Sequence, residues 1–204
     1  MFVIGLTGGL GSGKSTVAEM LRELGAVVVN ADQVGHQVYA PGGPAYGEVV
    51  ATFGPQVLAA DGSVDRRRLA TIVFQDAEAL QRLNAITHPH IRQGIQQRLQ
   101  ELAQQGVAVA VVEAALLLEA GWDDLVDEVW VTACPPEVAA ARAAQRSGLS
   151  LEEALARVRA QMPLAERARR AQVVIDTATS LAETRQQVER EWERLKARLA
   201  PKGR

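Results

Sequence analysis

One stretch near the amino terminus constrains the fold more than any other. Phe2 to Leu6 is a short apolar run, and Gly8-Gly9-Leu10-Gly11-Ser12-Gly13-Lys14-Ser15 follows it at once. Helical spacing then sets in, with Val17, Met20, Leu21 and Leu24 on one face and Gly25 as the stop. Two glycines five residues apart, followed by Lys-Ser, let a backbone curl until successive N–H groups point inward at an anion. The helix behind the loop adds its partial positive charge. A loop of this kind works only between a strand and a helix, and that is its context here. Val27 to Val29 is a second buried strand. A strand, loop, helix, strand opening predicts a parallel sheet with helices on its faces.

The remaining strands fit that sheet. Val107 to Val112 is wholly apolar, as a central parallel strand should be. Val129 to Thr132 and Val173 to Ile175 complete five. Helices are expected over Glu137 to Arg146, from the capping box at Ser150 to Glu153, and over Ser180 to Leu199, ended by Pro201. Between the second and third strands, residues 33–106 run without a convincing strand. Asp65 and Asp76 read as helix N-caps there, and Pro89 is expected to break or restart a helix after His88. The apolar face Ile91, Ile95, Leu99, Leu102 should end at Gly106. The expectation is an α/β, three-layer fold with a five-stranded parallel sheet, formed by a single domain. Its core covers 1–32, 107–140 and 171–204, an inserted helical acceptor-binding lobe about 33–106, and a helical lid about 141–170.

Composition removes some function classes. The formal charge is −2, so no global bias points to nucleic acid or a membrane surface. No apolar run reaches the ~18 residues of a membrane span. The single cysteine, Cys134, excludes an internal disulfide and reads as a small buried group. A cytoplasmic protein is expected, as a monomer or small homo-oligomer. Lys14 is the only lysine before Lys196. A guanine-reading Asn-Lys-x-Asp motif therefore cannot occur in between, which argues against a GTPase.

The loop gives each residue a task. Gly11, Ser12, Gly13, Lys14, Ser15 and Thr16 would cradle the phosphates of ATP. Lys14 would place a compact cation on the β- and γ-phosphates, and Ser15 would offer its hydroxyl to Mg²⁺. Glu113 ends the central strand, where a carboxylate orients magnesium through water or stands as a solvated strand end. Asp32 lies just past the second strand, on the rim where ligands gather in such sheets. It can accept the proton of an attacking hydroxyl, or cap the next helix. Seven arginines fall within 142–170, and Arg142, Arg146 and Arg167 suit a lid over a triphosphate. Glu119 is a salt-bridge partner or a substrate contact, and His88 a structural group or an acceptor contact. Arg66, Arg67 and Arg68 form a second basic cluster. These parts leave three readings open: a kinase for a nucleotide-like acceptor, a kinase for another small acceptor, and a nucleotide-gated binding protein with no acceptor.

The pattern resembles the dephospho-coenzyme A kinase family from Ile4 to about Thr179. The resemblance runs through GLTGGLGSGKSTVA, NAD at Asn30 to Asp32, FG at Phe53-Gly54 and DGSVDRRRLATIVF from Asp61. It continues in HPHI from His88, EAALLLEAGW from Glu113, QRSGLSLEEALAR from Gln145 and AQVVIDT from Ala171. It implies an adenylate-kinase-like P-loop kinase fold and ATP-dependent phosphorylation of the ribose 3′-hydroxyl of dephospho-coenzyme A. On that resemblance Asp32 is the base, and the acceptor is met by Asp32, His88, Leu117 and Glu119. The chain departs from the family pattern at Asn30 (usually Asp), at Ala115 (usually Pro) and at Asp176-Thr177-Ala178-Thr179 (usually Asp-Asn-x-Gly).

Overall fold

A computed structural model describes residues 1–200. The elements, in chain order, are β1 (Phe2–Thr7), α1 (Lys14–Glu23), β2 (Val27–Asn30), α2 (Ala31–Val38), α3 (Tyr46–Phe53), α4 (Arg66–Gln75) and α5 (Ala77–Gln104). Then come β3 (Val109–Glu113), β4 (Glu128–Ala133), α6 (Pro136–Ser147), α7 (Leu151–Arg159), α8 (Leu164–Arg169), β5 (Val173–Asp176) and α9 (Leu181–Leu199). Two compact units emerge, one of Asn30–Glu101 and one of Met1–Val29 with the chain from Leu102 onward.

The larger unit holds a five-stranded parallel sheet in the order β2-β3-β1-β4-β5. β1 is central because all but its first residue are buried. Leu6 lies opposite Glu113 on β3, and Thr7 opposite Val131 on β4. Side chains alternate across the sheet. Ile4 and Leu6 therefore share one face, where they pack with Val17 and Leu21 of α1 and Val188, Trp192 and Leu195 of α9. Gly5 points the other way, and a Cβ there would lie 2.6 Å from Leu117 and 2.9 Å from Val126. The connection after β1 runs past β3 to β2, whereas the connection after β3 crosses back to β4. The carboxyl ends of β1 and β3 thus flank a switch point, where such sheets form a crevice.

The local signals explain most boundaries. Ser150 and Ser180 each make a full capping box, with Glu153 and Glu183 respectively. Gly148 closes α6 in the left-handed conformation at φ 67°. Pro201, read as the stop of α9, lies outside the described residues.

The smaller unit is helical. Asp65 caps α4 through the Arg67 and Arg68 N–H groups, and Asp76 takes the Glu78 N–H at the start of α5. Pro89 does not break a helix, contrary to expectation: α5 runs through it for 28 residues. A mid-helix proline loses one backbone bond and crowds the preceding turn, at roughly 3 kcal/mol. Burial of Ile91, Ile95, Leu99 and Leu102 along one face outweighs that cost.

Candidate active site

The loop between β1 and α1 is built by its glycines and tied down by threonines. Gly11 and Gly13 take φ values of 72° and 79°, and Ser12 N–H closes a tight turn on Gly9 carbonyl at 3.1 Å. A Cβ on Gly11 would collide with the Ala139 carbonyl, and one on Gly8 with the Thr132 hydroxyl. Ser12 Oγ is 2.7 Å from Thr132 Oγ1, while Thr177 Oγ1 donates to Ser12 carbonyl at 2.7 Å. Helix α1 begins with no side-chain cap and no acidic residue in its first turn. Its first N–H groups are left for an anion.

The first chemistry-bearing contact lies at the switch point. Lys14 Nζ and Ser15 Oγ both donate to Glu113 Oε1, each at 2.9 Å. Glu113 is 5% exposed, so it is not a solvated strand end. Burial of this carboxylate requires the cation and the hydroxyl beside it. One carboxylate and one hydroxyl suit Mg²⁺, which keeps several waters and takes its remaining oxygens from phosphates. Among the described residues there is no cluster of three or more His, Cys, Asp or Glu arranged for a metal.

Helices α6 and α7 pack on a seam of Ala140, Ala143 and Ala154, and Leu10 of the loop packs against it. Arg142 Nη2 donates to the Thr177 carbonyl at 2.8 Å. Arg146 is exposed on α6. Arg167 is 4% exposed and holds Glu119 at 2.9 Å, so Glu119 is an ion-pair partner in this arrangement. Arg170 binds Asp123 at 2.8 Å and so ties α8 to the segment after β3. Leu117, expected to touch the acceptor, is fully buried against the back of β1 and offers a ligand no surface. Cys134 is half-buried rather than buried, and burial pushes its thiol up.

In the smaller unit, Asp32 is the second residue of α2 and is exposed. It is not the cap. Asn30 is, taking the Gln33 N–H at 3.0 Å. Asparagine and aspartate cap equally well, so the Asn30 departure preserves this helix start. His36 on α2 and Tyr39 just past its end set their rings edge to face at 6.3 Å, and Arg66 Nη1 lies 3.1 Å from the His36 ring. Burial first, and Arg66 second, lower the His36 pKa. His88 is half-buried on α5, and burial lowers its pKa too.

Two residues of the loop's surroundings carry no sequence signal: Thr132 and Gln161. The last accepts the Leu10 N–H through Oε1 at 2.8 Å. Each acts from more than a hundred residues away with an ordinary hydrogen-bonding group. The Thr177 departure is used, since its hydroxyl holds the loop. Ala115 contributes a carbonyl, which accepts from Thr7 Oγ1 at 3.3 Å and which proline would also carry.

The parallel sheet, its switch point and the glycine loop feeding Lys14 and Ser15 define a P-loop kinase fold. A solved protein from Thermus thermophilus superposes with a TM-score of 0.79 at 36% identity, covering 98% of each chain. The dephospho-CoA kinase from Campylobacter jejuni gives 0.71 at 30% identity, covering 95% of this chain and 96% of its own. In sequence, the dephospho-CoA kinase of Moorella thermoacetica is 50% identical over 201 residues, covering 98% of this chain and 95% of the relative. The family model for dephospho-CoA kinase matches residues 2–183. The chain belongs to the dephospho-CoA kinase family.

Proposed function

We propose that this protein transfers the γ-phosphoryl group of ATP to the ribose 3′-hydroxyl of dephospho-CoA, giving CoA and ADP in the last step of CoA synthesis. Lys14 and Ser15 meeting on Glu113 Oε1 is the observation that supports phosphoryl transfer. Family membership supports the acceptor.

The residues divide the work. Gly11 to Thr16 bind the phosphates through backbone N–H groups, and Lys14 stabilises charge moving toward the leaving oxygen. Ser15 directly, and Glu113 through water, would hold Mg²⁺, which neutralises phosphate charge when bound. Lys14, held 2.9 Å from Glu113 Oε1, is the cation that would serve the nucleotide phosphates. Asp32 takes the proton of the 3′-hydroxyl, and its exposed position on the first turn of α2 leaves the carboxylate open to an acceptor. Arg142, Arg146 and Arg167 act from a lid of about 141–170, with Glu119 holding Arg167, while His88 contacts the acceptor. The acceptor lobe is about 33–106, and the setting is cytoplasmic. No described helix is long and apolar enough to cross a membrane.

The test is ADP formation from ATP and Mg²⁺ with and without acceptors. Stimulation by dephospho-CoA is the expected result. ADP formation that no acceptor stimulates would promote a nucleotide-gated binding protein instead.

A further inference from the structure

Gln161, between α7 and α8, is joined to the phosphate loop from the lid side. Its Oε1 accepts the Leu10 N–H at 2.8 Å. That bond fixes the amide's orientation, since an N–H can only be accepted by the oxygen end. The Nε2 end therefore keeps two donors, with no hydrogen bond to any described residue. The same side chain lines a cavity of about 270 Å³ whose lining is mostly apolar, with Leu10, Val158, Met162 and Leu164 in it, and whose polar groups include Ser12, Arg159 and Arg167. Arg167 is 4% exposed, and its Nε also lacks a partner. A buried guanidinium with an unmet donor, beside an amide with two, complements a ligand rich in acceptor oxygens. A Cβ on Gly9 would lie 3.0 Å from both Arg167 Nη1 and Gln161 Oε1, so loop and side chains are already in contact. Leu10 is also seated on the α6–α7 alanine seam. The loop therefore cannot shift without disturbing that hairpin.

We propose that Gln161 is a positioning residue for the nucleotide. Oε1 sets the first half of the phosphate loop, and Nε2 donates to a phosphate oxygen of ATP in the cavity. One amide thus couples the lid to both loop and nucleotide. This rests on the reading of the loop as an ATP site.

Two variants of the full chain test it. Gln161→Glu keeps an oxygen for Leu10 N–H but replaces the second donor with a negative group. Its melting temperature should match wild type, while its Kd for Mg-ATP rises at least about tenfold, the loss of roughly one good hydrogen bond. Its KM for dephospho-CoA should not change. Gln161→Met loses both ends, and should weaken ATP binding and also lower the melting temperature. Wild-type ATP affinity in Gln161→Glu would overturn the proposal and leave the proposed reaction standing. Failure of the wild-type protein to bind ATP by calorimetry would overturn both. Neither nucleotide readout depends on which acceptor the enzyme uses.

Discussion

The chemistry proposed for Lys14 can be separated from its part in stability. Lys14→Ala should lower kcat by at least about 100-fold, because its charge meets the phosphates as they react. It should also cost about 3 kcal/mol of stability, because Glu113 would be left 5% exposed without its cation. Adding Glu113→Gln should recover most of that stability in a urea melt and none of the turnover. Recovery of turnover would show that Lys14 acts only through Glu113. Asp32 gives a cleaner case. Asn30 does the capping, so Asp32→Asn changes only the proton acceptor. Steady-state kinetics should show kcat down by about 100-fold with KM for ATP within a factor of two or so. A normal kcat would remove Asp32 from the reaction. The loop's position between β1 and α1 was legible because each residue type has a fixed spacing from the next. Thr132 and Gln161 were not, because a single hydroxyl or amide acting from a distant segment leaves no pattern in the chain.

At the scale of elements, strands and capped helices could be read because periodicity and caps are local. The strand runs, the capping boxes at Ser150 and Ser180, and the glycine stop at Gly148 all hold within a residue or two. Pro89 misled because its local cost is outweighed by burial spread over the whole of α5. Leu117 misled because the residues after β3 turn back beneath β1, which no local signal announces. The arginine-rich α6–α8 segment divides by partner. Arg170 is held by Asp123, whereas Arg142 reaches the Thr177 carbonyl beside the loop and Arg146 is exposed. Arg142→Ala and Arg146→Ala should each reduce kcat/KM for ATP about tenfold, the loss of one charge-assisted contact. Arg194→Ala, on the exposed face of α9, should leave it unchanged. Equal losses in all three would point to general charge rather than a lid. Arg198 is not a fair control, because it pairs with Glu128 at the start of β4.

That pair gives the whole molecule a pH signature. Hydrogen bonding from Arg198, with a further bond from Trp130, holds the Glu128 carboxyl below its ordinary 4.5. A depressed folded pKa favours folding above the unfolded value. The contribution should be complete above about pH 5 and lost as pH falls below 4.5 through the folded value. Melts of wild type and Arg198→Ala should differ at pH 7 and converge toward pH 3; a constant gap would exclude this linkage. Acceptor choice also belongs to the whole molecule. The smaller unit spans Asn30–Glu101, far longer than the dozen or so residues a parallel crossover needs. As the proposed acceptor lobe, a unit of that length would suit a nucleotide with an extended arm, whose binding energy can position the reacting hydroxyl. Shortened acceptors such as adenosine should then lose kcat as well as affinity. The most direct measurement supplies ATP and Mg²⁺ with dephospho-CoA, adenosine, AMP, CMP, gluconate and shikimate, and identifies each product by mass and by the position of its new phosphate. The highest kcat/KM should be for dephospho-CoA, phosphorylated on the ribose 3′-hydroxyl; faster transfer to any other acceptor, or phosphate at another position, would contradict the account.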